Sequence, residues 1–398
     1  MTNKYFERQQ SPERMQARID VFPSWLEVDL DSIGHNLKQI RKRTGVEIVP
    51  CLKTNAYGHG LVPVVAYLMT QGVKRCLVAK FWEVEQIREA GLDCGIVNMD
   101  PLFSKEQFER AVELKVTQTI YQIEAAKRLN DAASGRNKQV PIWVKIDTGL
   151  GRVGVRWSEA VELIDNINRM KSLRIEGLFS TLFEEESLDR TQVDRMKGIG
   201  AELDKRGISY GVRSMASSNA IFHKPFSYLD AVRPGLMLFG LYPEREDVGK
   251  GVDLKQAFCM KARLEHTKWI EAGESLTYSR RFVASRKTRV GTLHIGYSDG
   301  YPRGLTTKGF VKVNEEARPI LGTVSVNHCL IDLTESKAEV GDAVEAIGKK
   351  GENSAQNLSE LAGIMPYTLM VGMNQLLPRI YLRDCKPVAL LEPKLCEK

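Results

Sequence analysis

Residues 46–60 read VEIVPCLKTNAYGHG, an apolar, β-branched run from Val46 to Leu52 that ends on Lys53 and then breaks into a turn holding two glycines. Such a run bounded by a turn is the pattern of a buried strand. Working outward from it, β-rich segments alternate with segments of helical periodicity between residues 25 and 240, which is how parallel strands joined by helices are written. The strands expected are Trp25–Leu30, Val46–Leu52, Arg75–Ala79, Gly95–Met99, Val116–Tyr121, Val140–Ile146, Ile175–Ser180, Tyr210–Met215 and Ala231–Phe239. Between them Ile33, Leu37 and Ile40 share one helical face, as do Ala160, Ile164 and Ile167. About eight such units close a TIM-type barrel. Pro50 sits awkwardly in its strand, because it donates no ladder hydrogen bond.

After Tyr242 the pattern changes. The polar stretch EREDVGKGVDLKQ reads as a linker, and beyond it Phe258–Ile270, Thr288–Ile295, Pro319–Leu333 and Ala343–Ile347 read as a mainly antiparallel β domain. A chain of 398 residues suits this division. The expected organisation is a flexible, polar N-terminal arm over residues 1–24, a (β/α)8 barrel over 25–245 and a C-terminal, mainly β domain over 256–398.

Composition narrows the function. With 43% apolar and 27% charged residues and no long apolar run, the chain reads as globular, not membrane-inserted. The +7 formal charge is spread over the chain without a basic block, so nucleic acid is not an expected partner, whereas small anionic ligands are favoured. Seven scattered cysteines lack disulfide or zinc spacing, no metal site is expected, and the opening residues lack a secretory apolar stretch. Both traits fit the cytoplasm.

Lys53 stands where barrel enzymes build their active sites, at the C-terminal mouth of a strand, and a desolvated amine there can condense with an aldehyde cofactor. A lone lysine capping a strand would be unremarkable, but the whole stretch Lys53–Gly60 resembles the cofactor-lysine motif of alanine racemases. A second match is Arg233-Pro234-Gly235-Leu236-Met237-Leu238-Phe239-Gly240. The resemblance implies pyridoxal 5'-phosphate as cofactor, held by Lys53, with Arg233 facing its pyridine nitrogen. Arginine does not release its proton, so such a pairing would limit electron withdrawal into the ring. Taken alone, Arg233 would serve equally well in a surface ion pair.

Ser217-Ser218-Asn219 follows a strand and reads as a helix start, suited either to an ordinary N-cap or to a phosphate. By resemblance Ser218, Tyr57 and the backbone at Gly235 and Leu236 hold the cofactor phosphate. In the second domain Leu276-Thr277-Tyr278-Ser279 resembles the segment supplying the second catalytic base, which makes Tyr278 the partner of Lys53, although a strand tyrosine is more often packing. Gly296–Arg303, GYSDGYPR, also resembles the family, and Asp299-Gly300 within it reads locally as a tight turn.

Gly149-Leu150-Gly151-Arg152-Val153-Gly154 satisfies the dinucleotide-binding pattern, but the next helix begins near Ser158, after the glycines, and Glu176 opens the following strand instead of ending it. The family resemblance instead puts Lys145 and Arg152 here, the lysine usually carbamylated and steering an arginine that contacts the cofactor and substrate.

The sequence departs from the family at Thr181, where a histidine is expected, at Val326-Asn327 in place of a methionine-aspartate pair, and at Gln375 in place of a tyrosine three residues before Pro378. Arg152, Val326 and Asn327 are the candidate substrate-binding residues. The implied activity is two-base racemisation of a free amino acid, alanine by default, with Lys53 and Tyr278 on opposite sides of Cα and a homodimer sharing its sites. The altered positions leave open a racemase for serine, lysine, arginine or another amino acid, a barrel-fold decarboxylase using the same cofactor, and a non-catalytic cofactor carrier.

Overall fold

The computed structural model describes residues 4–393. Eight strands form the barrel: Glu47–Ile48, Arg75–Val78, Gly95–Asn98, Thr117–Ile120, Val140–Asp147, Leu173–Phe179, Val212–Ser214 and Ala231–Val232. Each is parallel to its neighbour, and the last pairs with the first. A parallel bridge between Cys51 and Leu77 closes the circle, through Leu52 N–H to Leu77 O and Leu77 N–H to Pro50 O, both 2.8 Å.

The same register explains why Pro50 is tolerated. The amides on either side of it, Val49 and Cys51, donate to Val232 and Pro234 on the last strand. Position 50 therefore faces the other neighbour, where its carbonyl alone is used.

Inside the barrel Val49, Leu77, Val97, Trp143, Phe179 and Ala231 pack together. Trp143 is fully buried and lies over Gly177, where a Cβ would come within 2.6 Å of the indole. Outside, Ile33, Leu37, Ile40, Ala160, Ile164 and Ile167 are all fully buried, so both expected helical stripes face the core.

The strand Ser24–Asp29, expected first in the barrel, belongs to the second domain. It pairs antiparallel with Phe258–Ile270 and parallel with Arg379–Arg383. Its apolar character satisfies either sheet, and the barrel already holds eight strands without it.

The N-terminal segment is not a loose arm over its described length. Ser11 caps a helix, Pro12–Ile19, whose first position takes the proline. Met15 and Ile19 are buried, and Arg18 pairs with Glu392 beyond the last strand.

Two expected strands are shorter than the apolar runs suggested. Ala231–Phe239 is a strand only to Val232, after which Leu236–Phe239 forms a 3-10 turn. Pro319–Leu333 splits into Glu316–Pro319 and Cys329–Asp332, separated by a turn. The β domain also holds two helices, Ala355–Ala362 and Pro366–Gly372, the second of which reaches the barrel mouth. No helix among the described residues is long and apolar enough to cross a membrane.

Candidate active site

Lys53 begins a short turn of opposite hand to an ordinary helix. Thr54, Asn55, Ala56 and Tyr57 have φ of 57°, 55°, 52° and 52°. For L-residues this costs roughly 1–2 kcal/mol each, so something must hold the turn.

Glu83 supplies much of the hold. Fully buried, it accepts the amide of Asn55 at 2.9 Å through Oε1 and those of Ala79 and Lys80 at 3.0 and 2.9 Å through Oε2. The Asn55 side chain accepts the amide of Leu61 at 2.7 Å. From the C-terminal strand, Arg379 donates to Gly58 O at 2.7 Å and Tyr381 to His59 O at 2.8 Å. A Cβ at Gly60, where φ is 90°, would fall 1.8 Å from the Tyr381 hydroxyl, so only glycine fits.

His59, also fully buried, stacks on Phe239 at 4.0 Å between ring centres. Burial pushes its pKa down to about 3, against smaller opposing effects from the carbonyls of Tyr57 and Ala56, so the ring is neutral.

Around this turn four expected ligands meet. Ser218 Oγ accepts the amides of Gly235 at 3.1 Å and Met237 at 3.3 Å. The amide of Leu236, between these two, is not engaged by the Ser218 hydroxyl. A Cβ on Gly235 would lie 2.6 Å from the Tyr57 hydroxyl, so only glycine lets that phenol come so close to the backbone beside Ser218. Burial raises the Tyr57 pKa well above 10, keeping the phenol protonated and able to donate.

Tyr367, on the helix after Pro366, completes this wall 6.0 Å from the Tyr57 ring. Burial, foremost, raises its pKa to about 12, while a hydrogen bond with Ser218 opposes the shift. Nothing in the chain marks it beyond a tyrosine next to a proline. The tyrosine sought at position 375 is a glutamine on an exposed loop, and the phenol of the site comes from eight positions earlier.

Arg233 is buried and donates to Ser214 Oγ at 2.6 Å and Ser180 O at 2.5 Å. Burial lowers its pKa to about 10, which still leaves it charged near neutrality. Lys145 also lies over the Phe179 ring, at 4.6 Å from its centre against 5.2 Å for Arg233, and donates to Thr181 Oγ1 at 2.8 Å. The Lys145 pKa falls well below its usual range, first through burial and then through repulsion from Arg233, Arg152 and Lys53. The mouth therefore concentrates positive charge, and Thr181 occupies the place where an imidazole was sought.

Not every candidate joins this group. Tyr278 is three-quarters exposed on a turn of the β domain. Val326 and Asn327 are exposed there too, and Asn327 donates to Ser298 Oγ at 2.9 Å. None of the three forms a side-chain hydrogen bond or ring contact with a barrel residue among the described residues. Arg152 is exposed on the glycine loop, and the helix after it starts only at Ala160, so the loop is not a nucleotide-binding helix entry.

A closed parallel barrel with a lysine and a cluster of hydroxyls at one strand mouth, followed by a β domain, defines a two-domain barrel enzyme of the amine-handling kind. Residues 28–243 match the family described as "Alanine racemase, N-terminal domain" and 257–381 that described as "Alanine racemase, C-terminal domain". The alanine racemase of Desulforamulus reducens is 34% identical over 90% of this chain and 99% of its own, and that of Halothermothrix orenii 35% over 90% and 97%. Among solved structures, alanine racemase from Clostridium difficile 630 superposes with a TM-score of 0.87 at 26% identity, covering 94% of this chain and 99% of that one. The enzyme from Bacillus anthracis with bound L-Ala-P gives 0.83 at 27%, covering 93% and 97%. The chain belongs to the alanine racemase family, and it is an amino-acid racemase.

Proposed function

We propose that the chain interconverts the enantiomers of alanine with pyridoxal 5'-phosphate as cofactor. The observation that carries this is the convergence of Lys53 with Tyr57, Ser218 and Gly235 in one cationic barrel mouth. The residues suit such a group: three hydroxyls, of Tyr57, Ser218 and Tyr367, gather beside the close-approach glycine Gly235, and Lys53, Lys145, Arg152 and Arg233 act on one another at the same mouth.

When bound, the cofactor supplies an aldehyde that condenses with amines and a ring that acidifies the hydrogen on Cα. Tyr57, Tyr367, Ser218 and the amides near Gly235 would hold its phosphate, and Arg233, locked by Ser214 and Ser180, would face its ring nitrogen without surrendering a proton. Lys53 takes or returns the Cα proton on one face of the substrate. Tyr278, contributed by a second copy of the chain, does so on the other, so inversion follows from geometry. The depressed Lys145 suits this arrangement, since a neutral amine is the form that can be carbamylated and so turn one of several crowded cations into an anion near Arg152. The six described cysteines are free thiols, in keeping with a reducing compartment.

Asn327, uncharged and exposed, favours a second reading in which the substrate is larger or more polar than alanine. Deuterium uptake at Cα from heavy water, measured over an amino-acid panel, tests both. We expect uptake into alanine to exceed that into serine, lysine and arginine, and to fall by at least about a hundredfold in Lys53→Ala and in Tyr278→Phe. Undiminished uptake in both variants would refute the assigned roles, and preference for another amino acid would select the second reading.

A further inference from the structure

Outside the barrel mouth, three metal-ligating side chains converge on the β domain. Glu265 lies on Phe258–Ile270, His294 directly follows Thr288–Leu293, and His328 directly precedes Cys329–Asp332. These strands are adjacent in the sheet, the middle one pairing with both others. The register between the first two shifts between Leu264 and His266, so Glu265 is the extra residue of a bulge, a device that re-aims a side chain.

Glu265 Oε2 lies 2.8 Å from His294 Nδ1 and its Oε1 lies 2.9 Å from His328 Nε2. The rings are 5.5 Å apart, nearly perpendicular, and one ligand atom from each residue lies within 4.8 Å of the others. The side chains retain 36–46% of their exposure, leaving room for a water or an outside ligand. Two of the six histidines of the chain meet here, and no other cluster of this kind occurs among the described residues.

We propose that Glu265, His294 and His328 bind a divalent ion of the zinc class. Two imidazoles and a carboxylate are the donor set such an ion selects, and in tetrahedral geometry with bonds of about 2.0–2.1 Å the donors stand roughly 3.3 Å apart. The observed carboxylate–imidazole separations, 2.8 and 2.9 Å, lie just below that spacing, and the three donors all fall within 4.8 Å of one another. Among the described residues, the ion-pair partners of Glu265 are these two imidazoles. The bound ion would tie the turn at Ser325–His328, closed by Ser325 N–H to His328 O at 2.9 Å, onto the two neighbouring strands.

The test uses the full chain, stripped with chelator and reloaded with cofactor, titrated with zinc by calorimetry. Wild type should bind one equivalent that the His294→Ala/His328→Ala protein does not, and Glu265→Gln should weaken it at least about tenfold. The Zn absorption edge of wild type should report nitrogen and oxygen at about 2.0–2.1 Å without sulfur at about 2.3 Å. The melting temperature of wild type should rise with zinc, and that of the double variant should not. Equal binding by wild type and both variants, a sulfur shell, or no uptake by wild type at millimolar zinc would each overturn the site. The edge spectrum decides the matter on wild type alone, whatever the folding of the variants.

Discussion

The guanidinium of Arg379 donates to the carbonyl of Gly58 across 2.7 Å, joining a strand near the end of the chain to the turn that carries Lys53. The same fully buried group also donates to the carbonyls of Asn374, Gln375 and Leu377, with no carboxylate among its partners in the described residues. Replacing Arg379 with leucine leaves four inward carbonyls short of a donor. We expect a loss of at least about 3 kcal/mol in chemical denaturation, accompanied by weaker cofactor retention. A loss under about 1 kcal/mol would show that water takes over the role.

Glu83 makes an analogous prediction from beneath. Its carboxylate accepts three amides without solvent, so Glu83→Gln keeps the volume but turns an acceptor oxygen into a donor facing an N–H. The expected cost is roughly 1.5–3 kcal/mol in stability, with slower turnover because the left-handed run after Lys53 loses its anchor at Asn55. Unchanged stability together with unchanged turnover would contradict this.

His59 sets an acid limit on the fold. Unfolded, it takes up a proton near pH 6.5; folded, it resists until about 3. Between those values the unfolded state binds more protons, so stability falls as pH drops through that window, by up to about 1.4 kcal/mol per pH unit. In His59→Gln this contribution to the slope disappears. Stability measured at several pH values in both proteins checks it, and equal slopes would count against a neutral buried ring.

Gly235→Ala should leave the fold intact and displace the Tyr57 hydroxyl. The added methyl meets the Tyr57 hydroxyl at 2.6 Å, and overpacking of that size costs about 1–3 kcal/mol, which taken from cofactor binding is roughly fivefold to a hundredfold in affinity for pyridoxal 5'-phosphate. Titration of the stripped protein with the cofactor reads this directly. Affinity equal to wild type would place the phosphate elsewhere.

Much of the barrel was legible because its signal is local. Gly95–Asn98 and Val140–Asp147 are short apolar runs between turns, and Ile33, Leu37 and Ile40 repeat at helical spacing. What failed was partner choice: nothing in Trp25–Leu30 says which sheet will take it, since burial on both faces looks alike in either. The site divides in the same way. Lys53, Ser218 and Gly235 announce themselves through contiguous motifs, whereas Tyr367 and Glu83 reach the site by folding from helices with no motif of their own. The cluster at Glu265, His294 and His328 was invisible for a related reason, because its members are scattered over 64 positions and only sheet pairing and a bulge bring them together.

The strand Ser24–Asp29, seated between Phe258–Ile270 and Arg379–Arg383, has a consequence for biogenesis. The barrel has all its strands once residue 232 has been synthesised, but the head of the chain must then wait, first for Phe258–Ile270 on one side and much longer for Arg379–Arg383 on the other. Its exposed edge is held open through some 150 further residues of translation, which at roughly 5–20 residues per second is many seconds in which a chaperone or a second nascent chain could occupy the vacant groove.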